Sequence, residues 1–149
     1  VELFIGGGSE ESCDLAYVIK ELQVLHKENT LSIRPNMPER MPVRMPADIM
    51  QTVFNNLFEN SLQHGATEVT VDVTHALYAI HIAVTDNGNG ISPSNAGKLF
   101  VPFFTTNRDT GGTGLGLVII RSMLNAYNAT IRHVPIKSGT RFVIILPMK

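Results

Sequence analysis

The chain has 149 residues, 44% of them hydrophobic, which suffices for the core of one ordinary globular domain and leaves little for a second. Its 12 Lys and Arg against 13 Asp and Glu give a formal charge of -1, which excludes the broad basic field of a nucleic-acid binder. One cysteine, Cys13, excludes an internal disulfide, no Cys/His cluster has zinc-site spacing, and no apolar run approaches the ~20 residues of a membrane span.

The start, VELFIGGGSEES, lacks the basic region and apolar stretch of a signal peptide, so the expectation is a soluble cytoplasmic piece of a longer protein. Val1 to Ile5 reads as a short strand ended by Gly6-Gly7-Gly8. From Ser12, Leu15, Val18, Ile19, Leu22 and Leu25 recur at helical spacing and predict an amphipathic helix of about 14 residues. Leu31 to Arg34 predicts a strand. In the following RPNMPERMPVRMP, Met-Pro recurs at 37, 41 and 45; this proline density excludes a helix interior and predicts a stiff, extended connection.

Pro46 suits the first turn of a second helix, which carries Ile49, Met50, Val53, Phe54, Leu57, Phe58 and Leu62. EVTVDVT (68–74) and YAIHIAVT (78–85) largely alternate and predict an antiparallel pair with one buried face. Residues 86–113, rich in Gly, Asn, Ser, Thr and Pro, read mostly as loop. A third helix is predicted from about Gly114 to Tyr127, and Thr130 to Val134 and Arg141 to Leu146 close the chain as strands. The order fits a single domain: a two-layer α/β sandwich with a mixed, largely antiparallel sheet of about five strands and three main helices.

Chemistry gathers in four clusters. On the second helix Asn56, Glu59, Asn60, Gln63 and His64 form one polar stripe. A solvated face is one reading, although such faces usually carry Lys and Arg and this one has no cation. A carboxamide oxygen suited to Mg²⁺ is the other. Asp86-Asn87-Gly88-Asn89-Gly90 carries the Asn-Gly hairpin signal, yet the following ISPSNAG does not alternate as a returning strand would. The other reading is glycines that let backbone pass close to a ligand, with Asp86 accepting from an amino group such as that of adenine. GGTGLGL (111–117) runs into the third helix and offers unpaired amides to phosphate. It is neither a P-loop, since no Gly-Lys-Ser/Thr follows, nor the dinucleotide fingerprint, whose third glycine would be position 117, here Leu. Between these, KLFVPFFTT (98–106) is either core or a flap docking through its Phe residues.

Together and in this order, the clusters resemble the catalytic and ATP-binding domain of sensor histidine kinases, within the superfamily shared with gyrase, Hsp90 and MutL. NNLFENSLQH resembles the N box, DNGNG the first glycine box, LFVPFFTT the F box and GGTGLGL the second glycine box, and SGTRFVIILP (138–147) is similar to the closing strand. The resemblance runs from roughly Ile49 to Pro147. It implies the Bergerat fold, with ATP between a helical layer and a lid over a mixed sheet. It further implies that Asn60 binds Mg²⁺ and Asn56 contacts phosphate, with His64 in the same ligand-facing stripe. Asp86 would take the adenine amino group, Gly88 and Gly90 would let the base approach, and Thr140 would hold it through water. Backbone from Gly112 through Thr113, Gly114 and Leu115 to Gly116 would wrap the phosphates. Residues 105–111 would form a short lid that includes Thr105, Thr106 and Arg108.

Departures from the family pattern are local. Gln63 stands where many relatives have Lys or Arg, Asn107 stands where a lysine is common with Arg108 beside it to substitute, and NAY (125–127) replaces a His-Gly-Gly-like stretch. ATP-hydrolysing relatives usually place a glutamate four residues before the magnesium asparagine; here Asn56 occupies that place and cannot act as a base. No histidine has the flanks of the family's phosphoacceptor: His26, His64, His75, His81 and His133 all lack the acidic residue and the correctly spaced proline. The implied activity is therefore transfer of the ATP γ-phosphoryl group to a histidine on a separate dimeric helical hairpin of the same parent chain. A response regulator receiver domain would lie downstream, in a parent that can be a membrane-bound sensor. A hydrolytic ATP-driven clamp and a non-catalytic nucleotide-binding module are the alternatives.

Overall fold

The computed structural model describes residues 11–102 and 116–148. The strand expected at 1–5 lies outside them. In chain order the elements are β1 (Cys13–Asp14), α1 (Leu15–Leu25), a 3-10 turn (Lys27–Asn29), β2 (Ser32–Asn36), β3 (Pro42–Val43), α2 (Ala47–Gln63), β4 (Glu68–His75), β5 (Ala79–Asp86), the single turn α3 (Pro93–Ala96), α4 (Gly116–Asn125), β6 (Thr130–Val134) and β7 (Thr140–Pro147).

The main sheet has the order β2-β4-β5-β7-β6; β2 runs parallel to β4, and every other neighbouring pair is antiparallel. Strict alternation makes one face apolar, as for a sheet covered on one side. Val71, Val84 and Phe142 form one cross-strand row and Ile82, Ile144 and Ile131 the next. The helices cover that face. Met50, Val53, Phe54, Leu57 and Phe58 of α2 are fully buried, and each contributes roughly 1.5–3 kcal/mol of transfer free energy.

The first helix starts later than its apolar spacing predicts, because Cys13 and Asp14 pair with Val43 and Pro42 as a small strand. Asp14 caps the helix, accepting from Ala16 N at 3.0 Å, and the same Oδ1 accepts from Met41 N at 2.8 Å. One carboxylate thus ties the helix start to the Met-Pro segment. That segment is extended and alternates, with Met41, Val43 and Met45 buried between exposed Pro42 and Arg44. Pro46 is the cap of α2 rather than its first turn, at φ -61 and ψ 144. The third helix ends at Asn125, two residues early, because Asn128 turns left-handed (φ 62) and Ala129 N donates back to Leu124 O at 2.9 Å.

His26, at the end of α1, is 2% exposed. Its Nε2 lies 2.7 Å from Asn55 Oδ1 and its ring meets Phe58 edge-on at 6.0 Å. It is a core histidine that joins α1 to α2.

Candidate functional site

Three observations build the site from α2, the end of β5 and the start of β7. The first concerns the polar stripe of α2. Glu59 and Gln63 are exposed, whereas Asn56, Asn60 and His64 are half-buried. Asn56 Nδ2 donates to Thr52 O at 2.8 Å, which fixes its amide and leaves Oδ1 facing Gly116, where an added Cβ would lie 3.6 Å away. The first residue of α4 and the asparagine one turn before Asn60 therefore face each other.

The second is the row at the end of the sheet. Ile33 and Val69 begin it on the core-facing side, and Asp86 and Thr140 continue it in register. Where the periodicity calls for aliphatic side chains, the chain places a carboxylate 6% exposed and a hydroxyl 3% exposed. Ser61 Oγ donates to Asp86 Oδ2 at 2.7 Å and Gly88 N donates to Asp86 Oδ1 at 2.9 Å. Among the described residues, Thr140 Oγ1 is buried with no hydrogen-bond partner. A buried hydroxyl left unmade costs about 1–3 kcal/mol, and such a group in a native fold calls for a ligand or a bound water.

The third is the loop after β5. Asn87 Oδ1 accepts from Thr67 N at 2.8 Å and Glu68 N at 3.0 Å, and Asn89 N donates to His64 O at 2.8 Å. The loop is clamped to the end of α2 and the start of β4, and Asn-Gly does not turn a hairpin here. Gly88 is required by that clamp, since a Cβ there would lie 2.7 Å from His64 O. Gly90 has φ +80, with Gly139 O 3.0 Å from where its Cβ would be. Both glycines thus have a backbone reason to be present, apart from any ligand.

Thr105, Thr106, Arg108, Gly112, Thr113, Gly114 and Leu115, with the lid expected at 105–111, lie outside the described residues. Among the flanking residues, Phe100 packs edge-on to Phe142 at 6.5 Å, with Arg121 of α4 5.1 Å above its ring centre. The His133 ring meets the same Phe142 at a tilt of 59° and 5.7 Å, and burial pushes its pKa down.

Two residues of this site escaped the sequence reading. Ser61 sits on the apolar side of α2, in register with Leu57 and Phe58, and the available signal was a hydroxyl in an otherwise hydrophobic stripe. Gly139 precedes Thr140 with φ +86, and its Cβ would overlap the Asp86 carbonyl.

A family described as Histidine kinase-, DNA gyrase B-, and HSP90-like ATPase matches residues 46–149, the span that holds α2, the glycine loops and the closing strand. The chain belongs to this family. This ATPase-family chain is 36% identical over 87 residues to the sensor histidine kinase ZraS of Escherichia coli O157:H7, an overlap of 58% of the chain and 18% of ZraS. It is 33% identical over 93 residues to the sensor histidine kinase CpxA of Escherichia coli K12, with 58% and 20% covered. The chain thus spans about a fifth of the length of these curated relatives. Among solved structures, the catalytic domain of histidine kinase ThkA superposes with a TM-score of 0.77 at 25% identity, covering 93% of this chain and 98% of that one. A mycobacterial sensor histidine kinase, MprB, superposes with a TM-score of 0.78 at 22% identity over 93% and 97%. The five-stranded mixed sheet and its helical layer are the architecture of these catalytic domains, as the resemblance implied. No helix among the described residues is long and apolar enough to cross a membrane.

Proposed function

We propose that this domain binds Mg-ATP and transfers its γ-phosphoryl group to a histidine on a separate helical hairpin of the same parent chain, with a response regulator receiver domain as the next acceptor. The observation that carries the nucleotide reading is the buried pair at the end of the sheet, Asp86 held by two donors beside a Thr140 hydroxyl with no hydrogen-bond partner among the described residues. A carboxylate and an orphaned hydroxyl on one cross-strand row suit an amino group and a water molecule, which is the pattern that an adenine edge presents. Membership of an ATPase family and the kinase relatives support the same reading.

Each residue has a part that its surroundings favour. Asp86 accepts from the base amino group, and Thr140 completes the contact through water. Asn60, half-buried on α2, offers a carboxamide oxygen to Mg²⁺, which takes its remaining ligands from phosphate and water. When bound, Mg-ATP would supply the phosphoryl group, with the metal ion offsetting part of the phosphate charge. Asn56, its amide fixed on Thr52 O, orients phosphate and takes no proton, so activation of the nucleophile falls to the hairpin that bears the histidine. Positioning and electrostatics make up this domain's share of catalysis. Gly116 and the glycine-rich residues before it belong to the phosphate side of this proposal, as do Thr105, Thr106 and Arg108.

The test mixes the domain with the parent's histidine hairpin and γ-labelled ATP. Label attached to the hairpin in an acid-labile form is the expected result, and Asn60→Ala abolishes it while leaving the fold intact. Release of free phosphate alone, with no labelled hairpin, would identify a hydrolytic clamp. Binding with neither outcome would identify a non-catalytic module.

A further inference from the structure

The buried side chains of the described residues include only four that are polar: His26, Ser61, Asp86 and Thr140. His26 is accounted for by its ring bonds to Asn55 of α2 and Asn29 of the 3-10 turn. Ser61 is not. It is 4% exposed on the inner face of α2, where the spacing of Val53, Leu57 and Phe58 calls for an aliphatic residue. Its hydroxyl donates a hydrogen bond to Asp86 Oδ2 at 2.7 Å, the short distance of a charge-assisted O–H···O⁻ bond. The other carboxylate oxygen is held by Gly88 N at 2.9 Å. One donor alone would leave the carboxylate free to swing about its bond to Cβ; two donors on opposite oxygens fix its plane. Each oxygen keeps lone-pair capacity for a further partner.

The geometry points to Ser61 as a positioning residue for base recognition: it locks Asp86 as a fixed acceptor, so that the pocket takes a 6-aminopurine nucleotide and rejects a 6-oxopurine. This inference rests on the nucleotide reading of the preceding section and deepens it by assigning a residue to its specificity. The physical basis is that an ionised carboxylate accepts only. A 6-amino group donates to it, whereas a 6-oxo group would set two acceptors against each other in a buried place. Discrimination requires that the carboxylate cannot turn aside to avoid that clash, and the Ser61 hydroxyl is what prevents it from turning. Selectivity built on buried hydrogen-bonding groups that reject the mismatched ligand is the strong form of molecular discrimination.

The experiment measures affinity for Mg-ATP and Mg-ITP by calorimetry, which compares two purines that differ in the 6 substituent and in the proton on the adjoining N1. Wild type, Ser61→Ala, Ser61→Cys, Ser61→Thr and Asp86→Asn are compared on the full chain, with thermal unfolding of each recorded in parallel. Wild type prefers ATP. Ser61→Ala and Ser61→Cys, the second close in shape but a poor donor, lower the ATP/ITP ratio by about tenfold, in line with loss of one hydrogen bond to a charged group. Ser61→Thr keeps the hydroxyl and restores the ratio even where its extra methyl lowers the melting temperature. A ratio unchanged in Ser61→Ala and Ser61→Cys, with only the melting temperature moved, overturns the assignment and leaves Ser61 as packing. Should Ser61→Ala fail to fold, Ser61→Cys decides alone. If Asp86→Asn loses the preference and the Ser61 variants keep it, the inference about Ser61 fails and the nucleotide reading stands. If wild type binds both nucleotides without preference, the inference falls while nucleotide binding stands; if it binds neither, both fall.

Discussion

Gly139→Ala tests whether the pairing of Asp86 with Thr140 depends on the backbone contact behind it. Gly139 has φ +86, and a Cβ there would overlap the Asp86 carbonyl oxygen and lie 3.0 Å from its carbon. Both neighbours are backbone atoms of β5, so no flexible side-chain end can give way. The left-handed φ costs an alanine about 1–2 kcal/mol. Relieving the overlap requires the start of β7 to move off β5, with a cost comparable to overpacking, about 1–3 kcal/mol. The sum, roughly 2–5 kcal/mol, lowers the melting temperature of a domain this size by about 4–20 °C. Gly97→Ala is the control: an added Cβ there meets nothing within 4 Å, and its stability should stay within about 0.5 kcal/mol of wild type. Circular dichroism melts and urea titrations measure both variants, and calorimetry measures their ATP affinity. The reasoning is refuted if Gly139→Ala melts with Gly97→Ala. A large drop in stability with unchanged ATP affinity would instead detach the Thr140 register from binding.

Thr140→Val removes a buried hydroxyl that has no partner among the described residues, so it should raise the unfolding free energy of the nucleotide-free domain by about 1 kcal/mol in urea while weakening ATP binding. A loss of stability without nucleotide would mean that the hydroxyl is satisfied inside the protein. Cys13 is expected to be a slow thiol: burial, and then the neighbouring Asp14 charge, push its pKa from 9.0 up to about 11. At pH 8 the folded chain then holds about 100-fold less thiolate than the unfolded one, and iodoacetamide labelling should be slower by that order. Because the folded state binds this proton more tightly, its contribution to stability is whole below pH 9.0 and declines as pH rises toward about 11. Fast native labelling at pH 8 would contradict it.

Much of the sheet was legible because its strands alternate without interruption. Thr130–Val134 forms where the alternation placed it, and Glu68–His75 pairs with Ala79–Asp86 antiparallel with one buried face. What the pattern could not supply are contacts between segments distant in sequence. The start of α1 is set by Asp14 and by a strand pair with Pro42–Val43, both tertiary events. The site divided along the same line. Asp86 stands out beside its glycines, because a carboxylate at the end of an apolar strand is locally anomalous. Ser61 does not, since a serine among leucines and phenylalanines changes the periodicity little, and only the fold brings β5 against it. Gly139 reads as an ordinary turn glycine until the end of β5 is seen behind it.

The three asparagines of α2 differ in what each does for the helix, and that difference can be measured. Asparagine in a helix interior costs roughly 0.5 kcal/mol relative to alanine. The helix withstands this because Phe54, Leu57 and Phe58 on its inner face are buried to 1% exposure or less. Asn55 offsets its cost by bonding the core histidine His26 at 2.7 Å, and Asn56 does so in part through its bond to Thr52 O. Asn60 makes no side-chain hydrogen bond to a described residue, so nothing within the described fold compensates for it. Asn55→Ala should therefore destabilise the nucleotide-free domain by about 1–3 kcal/mol through the loss of a bond to a buried ring. Asn60→Ala should stabilise it by roughly 0.5 kcal/mol. In ATP binding the order reverses, with Asn60→Ala severe and Asn55→Ala mild. Under the proposed function, the carboxamide of Asn60 is held against the preference of its own helix because Mg-ATP uses it. If Asn60→Ala proved destabilising in urea without nucleotide, the carboxamide would have a structural partner, and its assignment to magnesium would lose its physical ground.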